Sequence, residues 1–292
     1  MNQKSKITVE NQYALGLWAH YLNTTSDWIN KEDIITLTGA GVSPEQAVAL
    51  LVASAGGLAV DEDQQDRILF RDYIQPAVHA LAPNPYRQDR FYQLLKGKTG
   101  QLENIRWGTG RYAPYECFVF QDLVQTADGK IIPQIGFFQE EFFYPALWEN
   151  ERVWMSITPN EIETMRLPLE QAQGKVLVFG LGLGYFAVKA AWKNTVEQVT
   201  VVEKNSQIIQ FFTRYILPLV AHKEKIYIVE QDAFYFAETS FPSSRFNYVF
   251  TDLWHDVLDG LPLYRRMKSL ESLAHPSTRF GYWIEPTLRY YL

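Results

Sequence analysis

Gly180, Gly182 and Gly184 interrupt an otherwise apolar run, "KVLVFGLGLGYFAVKAAW", at alternate positions. Bare backbone is needed where a chain turns tightly, where a ligand comes close, or where a helix packs hard on a strand. About twenty residues further on, Glu203 ends "VTVVE". Asp232 ends "IYIVEQD", ahead of Ala233 and Phe234, and Asp252 ends "YVFTD", ahead of Leu253, Trp254, His255 and Asp256. The end of a buried apolar run is a costly place for an unpaired charge. Glu203 is placed to accept both hydroxyls of a ribose. Asp232 can take a hydrogen bond from an adenine amine, with Ala233 and Phe234 offering backbone and apolar contact. Asp252, His255 and Asp256 are the candidates for a catalytic base acting on an amine or hydroxyl, and the reference pKa of His, about 6.5, suits neutral pH. The plain alternatives are a glycine-rich turn without a ligand and a loop histidine that is exposed or paired with Asp256.

Phosphate fits this set poorly. Three carboxylates would repel a pyrophosphate, and no Lys-Ser/Thr pair follows the glycines. A nucleoside with a positive centre fits better. S-adenosyl-L-methionine joins an adenosine to a sulfonium and an amino-acid tail, and anionic walls stabilise it.

Strands must carry these residues to one place. Between 150 and 292, four- to seven-residue runs rich in β-branched and aromatic residues alternate with helical segments: "KVLVFG", "QVTVVE", "KIYIVEQD", "FNYVFTD" and "RFGYWIE". That rhythm predicts an α/β, Rossmann-like parallel sheet covered on both faces, whose ligand lies outside the carboxyl ends of the strands. "TPNEIETMRLPLEQAQG" predicts a preceding helix with Thr158 as N-cap, Pro159 first and Glu161 closing a capping box. Tyr115, Glu116, Asn160, Glu161 and Glu285 are lesser pocket candidates, and Trp254 either stacks on substrate or plugs the top of the sheet.

The rest of the chain has two other rhythms. Residues 1–104 read as a helical domain: "ENQYALGLWAHYLNTTSDWI" sets Tyr13, Leu17, Tyr21 and Leu22 near one face, and "SPEQAVALLVASAGG" has Ser43 as N-cap, Pro44 first and Gly56 at its end. A break is expected near Pro76. Residues 105–149 read as a β-hairpin linking element whose strand-like runs join at "ADGK". The region 150–292 is the ligand-binding domain.

Composition narrows the classes. The chain has 292 residues, 47% of them apolar, with a formal charge of −6 and no basic block, so general nucleic-acid binding is disfavoured. No apolar run is long enough to span a membrane, and "MNQKSKITVENQY" lacks a secretion signal. One cysteine, Cys117, excludes an internal disulfide and a cysteine-cluster metal site, and His20, His79, His222 and His275 are too scattered to suggest a metal. A cytoplasmic protein is the expectation.

The residues "VLVFGLGLGYFA", "VTVVEKNSQIIQFFTRYILP", "IYIVEQDAFYF" and "FNYVFTDLWHD" together resemble the class I S-adenosylmethionine-dependent methyltransferase superfamily, and within it the spermidine synthase-like branch. The resemblance covers roughly residues 115–285. It implies that Gly180, Gly182 and Gly184 line the methionine part of S-adenosyl-L-methionine, that Glu203 holds ribose, that Asp232 and Ala233 face adenine, and that Asp252 stands by the sulfonium. The implied activity is methyl transfer to a small-molecule acceptor. Aminopropyl transfer is the alternative, and a binding protein that kept the pocket without chemistry is a third. Polyamine synthases typically have an acid straight after the glycine run, where this chain has Tyr185, and a second acid three residues after the first, where Asp256 follows Asp252 by four. The usual last helix and antiparallel strand pair are missing after "RFGYWIE". An uncovered sheet edge needs management, which a homodimer would supply.

Overall fold

A computed structural model describes residues 3–24 and 29–292; residues 25–28, at the end of the first expected helix, lie outside the described residues. Its strands in chain order are β1 (Val78–Ala80), β2 (Gly100–Leu102), β3 (Ile105–Tyr112), β4 (Phe118–Gln125), β5 (Ile131–Phe137) and β6 (Phe142–Glu149). They continue with β7 (Arg152–Ser156), β8 (Gly174–Phe179), β9 (Val196–Glu203), β10 (Ile226–Glu230), β11 (Tyr248–Thr251) and β12 (Arg279–Tyr282). Contacts divide the chain into two units, Met1–Pro85 with Arg111–Phe143, and Tyr86–Gly110 with Tyr144–Leu292. The segment 105–149 is therefore shared between them.

The first unit is helical with a small sheet. Helix Gln3–Asn23 buries Ala14, Leu17, Trp18 and Tyr21, an i, i+3, i+4, i+7 stripe, while Tyr13 stays exposed. Of the expected face of Tyr13, Leu17, Tyr21 and Leu22, Leu17 and Tyr21 are buried, and the rows through Ala14 and Trp18 complete the stripe that meets the core. Ser43 accepts the N–H of Gln46 and caps helix Pro44–Ala55, as its residues predicted. Helix Gln64–Leu69 widens into a π-helical turn over Phe70–Ile74 and ends at Pro76, whose ring cannot continue it. β4 and β5 form the expected antiparallel hairpin, turning at Thr126–Lys130 through Gly129 in left-handed backbone, and β1 joins β5 in parallel.

The second unit holds a four-stranded sheet, order β2-β3-β6-β7, and a five-stranded sheet, order β10-β9-β8-β11-β12. Every pairing in the latter is parallel. That order runs outward both ways from β8, the Rossmann-like arrangement, and it puts the topological switch between β8 and β11. Val176–Phe179 and Tyr248–Thr251 are buried throughout, because helices cover both faces of a parallel sheet. No antiparallel strand pairs with β12 among the described residues; the short helix Glu285–Tyr290 follows it. Among the described residues no helix is long and apolar enough to cross a membrane.

The expected helix after Thr158 is two short ones, Pro159–Thr164 and Arg166–Gln171. Thr158 makes no side-chain cap bond, so the capping box with Glu161 does not form. The Glu161 side chain is left free for another role.

Asp89 ties the 86–110 segment to the helix that follows the glycines. Its Oδ1 accepts the N–H groups of Phe91 (2.9 Å) and Tyr92 (3.0 Å), and its Oδ2 accepts the Tyr185 hydroxyl (3.2 Å) and the Lys189 ammonium. The Asp89 side chain is only 6% exposed, so removing it strands a cation and a phenol together. Asp89→Ala should therefore cost about 3 kcal/mol or more of unfolding free energy in urea titration, with Asp89→Asn milder because it keeps the helix cap. An unchanged midpoint in the alanine variant would show that this pair does not hold the segment.

Candidate functional site

Gly180 sets the geometry. Its φ is 94°, and a Cβ there would strike the main-chain oxygen of Asp252. Its N–H donates to the Val202 carbonyl at 3.0 Å, and Asp252 in turn donates its N–H to the Phe179 carbonyl at 2.9 Å. The ends of β8, β9 and β11 are thereby pinned to one another. The next N–H, of Leu181, donates to Glu203 Oε2 at 3.0 Å, while Glu203 Oε1 accepts the N–H of Asn205 at 2.8 Å. Glu203 is thus oriented by backbone on both oxygens, and each oxygen retains a lone-pair site.

A cavity of about 220 Å³ opens at these strand ends, lined by Gly180, Gly182, Glu203, Asp232, Ala233 and Asp252 among others. Those are six of the predicted ligand-binding residues. His255 also lines it, as does Trp254. Gly184 does not line it; with φ at 84° it begins helix Tyr185–Ala191. Asp232 caps helix Ala233–Ser240 through Oδ1, which accepts the N–H groups of Phe234 and Tyr235, both at 3.0 Å. Its Oδ2 has no partner in the chain among the described residues.

The loop after β11 separates the candidate bases. Asp256 is the N-cap of helix Val257–Leu270 in a reciprocal capping box with Asp259. Its Oδ1 accepts the N–H groups of Leu258 (2.6 Å) and Asp259 (3.2 Å), and it lines neither this cavity nor the outer groove. His255 is exposed; only its backbone N–H is bound, to Asp259, and it does not pair with Asp256. Trp254 is buried, parallel to Tyr282 (6.4 Å, 13°) and edge-on to Tyr264 (6.4 Å, 85°), so it plugs the sheet top while one edge borders the cavity. Glu285 is taken up by Tyr264, Arg289 and Lys268, and Tyr115 and Glu116 belong to the other unit.

Glu161, expected to close a capping box and otherwise a lesser pocket candidate, takes the pocket position. With no cap to close, it lines a small recess at the glycine turn together with Asp252. It also lines, with Asp252 and His255, an open outer groove of about 900 Å³. Burial raises the Asp252 carboxyl to about 7, and the neighbouring Glu203 charge adds to the effect. Burial, with the Asp252 charge behind it, also lifts Glu161 well above the usual carboxylate range. No Lys or Arg pairs with Glu161, Glu203 or Asp252 among the described residues, and Lys204 is the one basic side chain lining the 220 Å³ cavity. The site is an acidic cleft without basic partners, and a cationic ligand would favour the ionised form of its raised carboxyls. Among the described residues, no group of three or more His, Cys, Asp or Glu could hold a metal ion.

No family model matches the chain, and no curated protein matches it. Solved structures match in part. Precorrin-8w decarboxylase of Methanobacterium thermoautotrophicum has 16% identity and a TM-score of 0.32, over 43% of this chain and 62% of that one. A Klebsiella pneumoniae protein provisionally assigned as an O-methyltransferase has 18% identity and a TM-score of 0.30, over 39% of this chain and 49% of that one. A conserved hypothetical protein of Streptococcus pyogenes has 18% identity and a TM-score of 0.30, over 37% and 64%. This chain thus spans less than two thirds of each. The Rossmann-like arrangement stands on strand order and direction; these partial likenesses add nothing to it.

The raised Asp252 carboxyl has a consequence for stability. Between about pH 4 and about pH 7 the folded chain holds a proton that the unfolded chain has released, so this group's contribution to stability falls as pH rises through that window. Asp252→Asn should raise the thermal midpoint at pH 8 and lose that advantage near pH 4. A pH-independent difference would mean that burial does not raise the Asp252 carboxyl.

Proposed function

We propose that the cleft binds S-adenosyl-L-methionine and that the protein transfers its methyl group to a small-molecule acceptor. The observation that carries this reading is the meeting of Gly180, Gly182, Glu203, Asp232 and Asp252 around one cavity. The residues fit the donor's parts. The remaining lone pairs of Glu203 suit the two ribose hydroxyls, and the free Oδ2 of Asp232 suits the adenine amine, with Ala233 beside it. The bare turn at Gly180 and Gly182 admits a chain crossing close to backbone. Asp252 answers a sulfonium charge.

When bound, the donor would supply a methyl group on positive sulfur, open to in-line attack by an acceptor lone pair as the carbon–sulfur electrons return to sulfur. The protein's part is to align and to take the proton. Alignment of this kind is worth roughly 7 to 11 kcal/mol. Asp252, with its carboxyl near 7, is matched to accept the acceptor's proton at neutral pH. His255 stands at the outer groove as a second route for it.

Aminopropyl transfer from the decarboxylated donor is a second reading, favoured by one feature. The recess at the glycine turn is lined by Glu161 and Asp252 and by no Lys or Arg. A tail carboxylate there would find no cation to pair with beside two carboxyl groups, whereas a tail amine could donate to both.

Calorimetric titration with S-adenosylmethionine, its decarboxylated form and S-adenosylhomocysteine decides among these. Preference for the carboxylated pair supports methyl transfer, preference for the decarboxylated donor supports the second reading, and no heat from any of them contradicts both. Glu203→Ala should weaken whichever donor binds by roughly 10- to 150-fold, the loss of about 1.5–3 kcal/mol from charged hydrogen bonds; undiminished affinity would remove the ribose assignment.

A further inference from the structure

We infer that Met155 sorts adenosine-bearing molecules by what they carry at the 5′ position, because its side chain lies across Gly182 where a 5′ chain must pass. The inference rests on the nucleoside reading of the cavity.

Met155 belongs to β7, outside the parallel sheet. The pairing of β6 with β7 shifts register between Leu147 and Trp148: Trp148 opposes Val153 and Leu147 opposes Met155. Trp154 is the extra residue of a bulge. Consecutive strand residues ordinarily face opposite sides, and a bulge re-aims them. Here both Trp154 and Met155 line the 220 Å³ cavity. A Cβ built on Gly182 would come within 2.6 Å of the Met155 sulfur and still nearer its methyl carbon. The thioether therefore rests directly on bare backbone.

That placement divides three spaces. Met155 lines the nucleoside cavity, the recess at the glycine turn and the 900 Å³ outer groove. The recess holds only about 20 Å³, room for little more than one water. Adenosine alone needs none of it. A nucleoside whose ribose sits at Glu203 and whose 5′ chain crosses Gly182 toward Glu161 and Asp252 needs the volume that Met155 fills. Met is unbranched and has three rotatable bonds, so it can swing away, and the outer groove has space to receive it. Once displaced, the same side chain can lie along the ligand's chain and screen the reacting end from the groove. Entry of a tail-bearing ligand is thus linked to the position of one side chain.

Calorimetry with adenosine and with S-adenosylhomocysteine tests this on the full-length protein. In Met155→Ala the 5′ chain no longer has to displace and fix a flexible side chain, so S-adenosylhomocysteine should bind about five- to tenfold tighter. Adenosine affinity should move far less, because adenosine needs none of the recess, and an unchanged thermal midpoint reports that the variant is folded. Met155→Phe, stiffer and bulkier, should keep adenosine and lose most of the S-adenosylhomocysteine affinity. Equal changes for both ligands, or no change for S-adenosylhomocysteine in either variant, would overturn the role given to Met155. If S-adenosylhomocysteine binds and adenosine does not, the division of the site by Met155 is also wrong. Binding of neither ligand to the unsubstituted protein would instead overturn the nucleoside reading, and this inference with it.

Discussion

The carbonyl oxygen of Asp252 occupies the place where a side chain at residue 180 would begin, and the rest of the site follows from that contact. Only glycine tolerates both the left-handed backbone and the intrusion. With Gly180 held between the ends of β9 and β11, the N–H of Leu181 is delivered to Glu203. The tip of β9 is then fixed relative to the turn, and Asp252 is fixed relative to both. A parallel sheet presents all of its carboxyl ends on one edge. The glycine lock makes that edge a cleft whose polar groups are oriented before any ligand arrives.

Holding carboxylates close without a cation is unfavourable, and the protein meets that cost by protonation. Asp252 and Glu161 are both displaced upward, each by burial first and then by a neighbouring acid. Such sites accept stability losses for function when the missing counter-charge comes from a ligand. The contrast with Asp89 is instructive: with its side chain only 6% exposed, it is fully partnered by two N–H groups, a hydroxyl and an ammonium, and serves the fold. The same residue type is fully partnered where donors surround it and driven toward protonation where they do not.

The parallel sheet was legible because β-branched runs such as "VTVVE" cannot easily be anything but buried strand, and because their ends coincide with glycine or acid. The hairpin was legible from its turn residues, and Ser43 from its cap. Glu161 was legible only as a lesser candidate, since "TPNE" has the residue pattern of a capping box and only the actual backbone shows Thr158 failing to cap. Asp256, read beside a histidine as a candidate base, is the N-cap of a helix with Asp259 three residues on. Met155 carried no signal, because its position depends on a one-residue slip between strands that no periodicity reveals. The attachment of the 86–110 segment to the glycine-bearing domain runs through Asp89 and Lys189, a hundred residues apart. Local patterns do not report contacts of that range.

The most direct check is a crystal structure of the protein grown with S-adenosylhomocysteine. The account requires the ribose hydroxyls on the Glu203 carboxylate, adenine beside Asp232 and Ala233, and the thioether sulfur near Asp252. A nucleoside seated elsewhere on the chain, or one with its ribose away from Glu203, would contradict it.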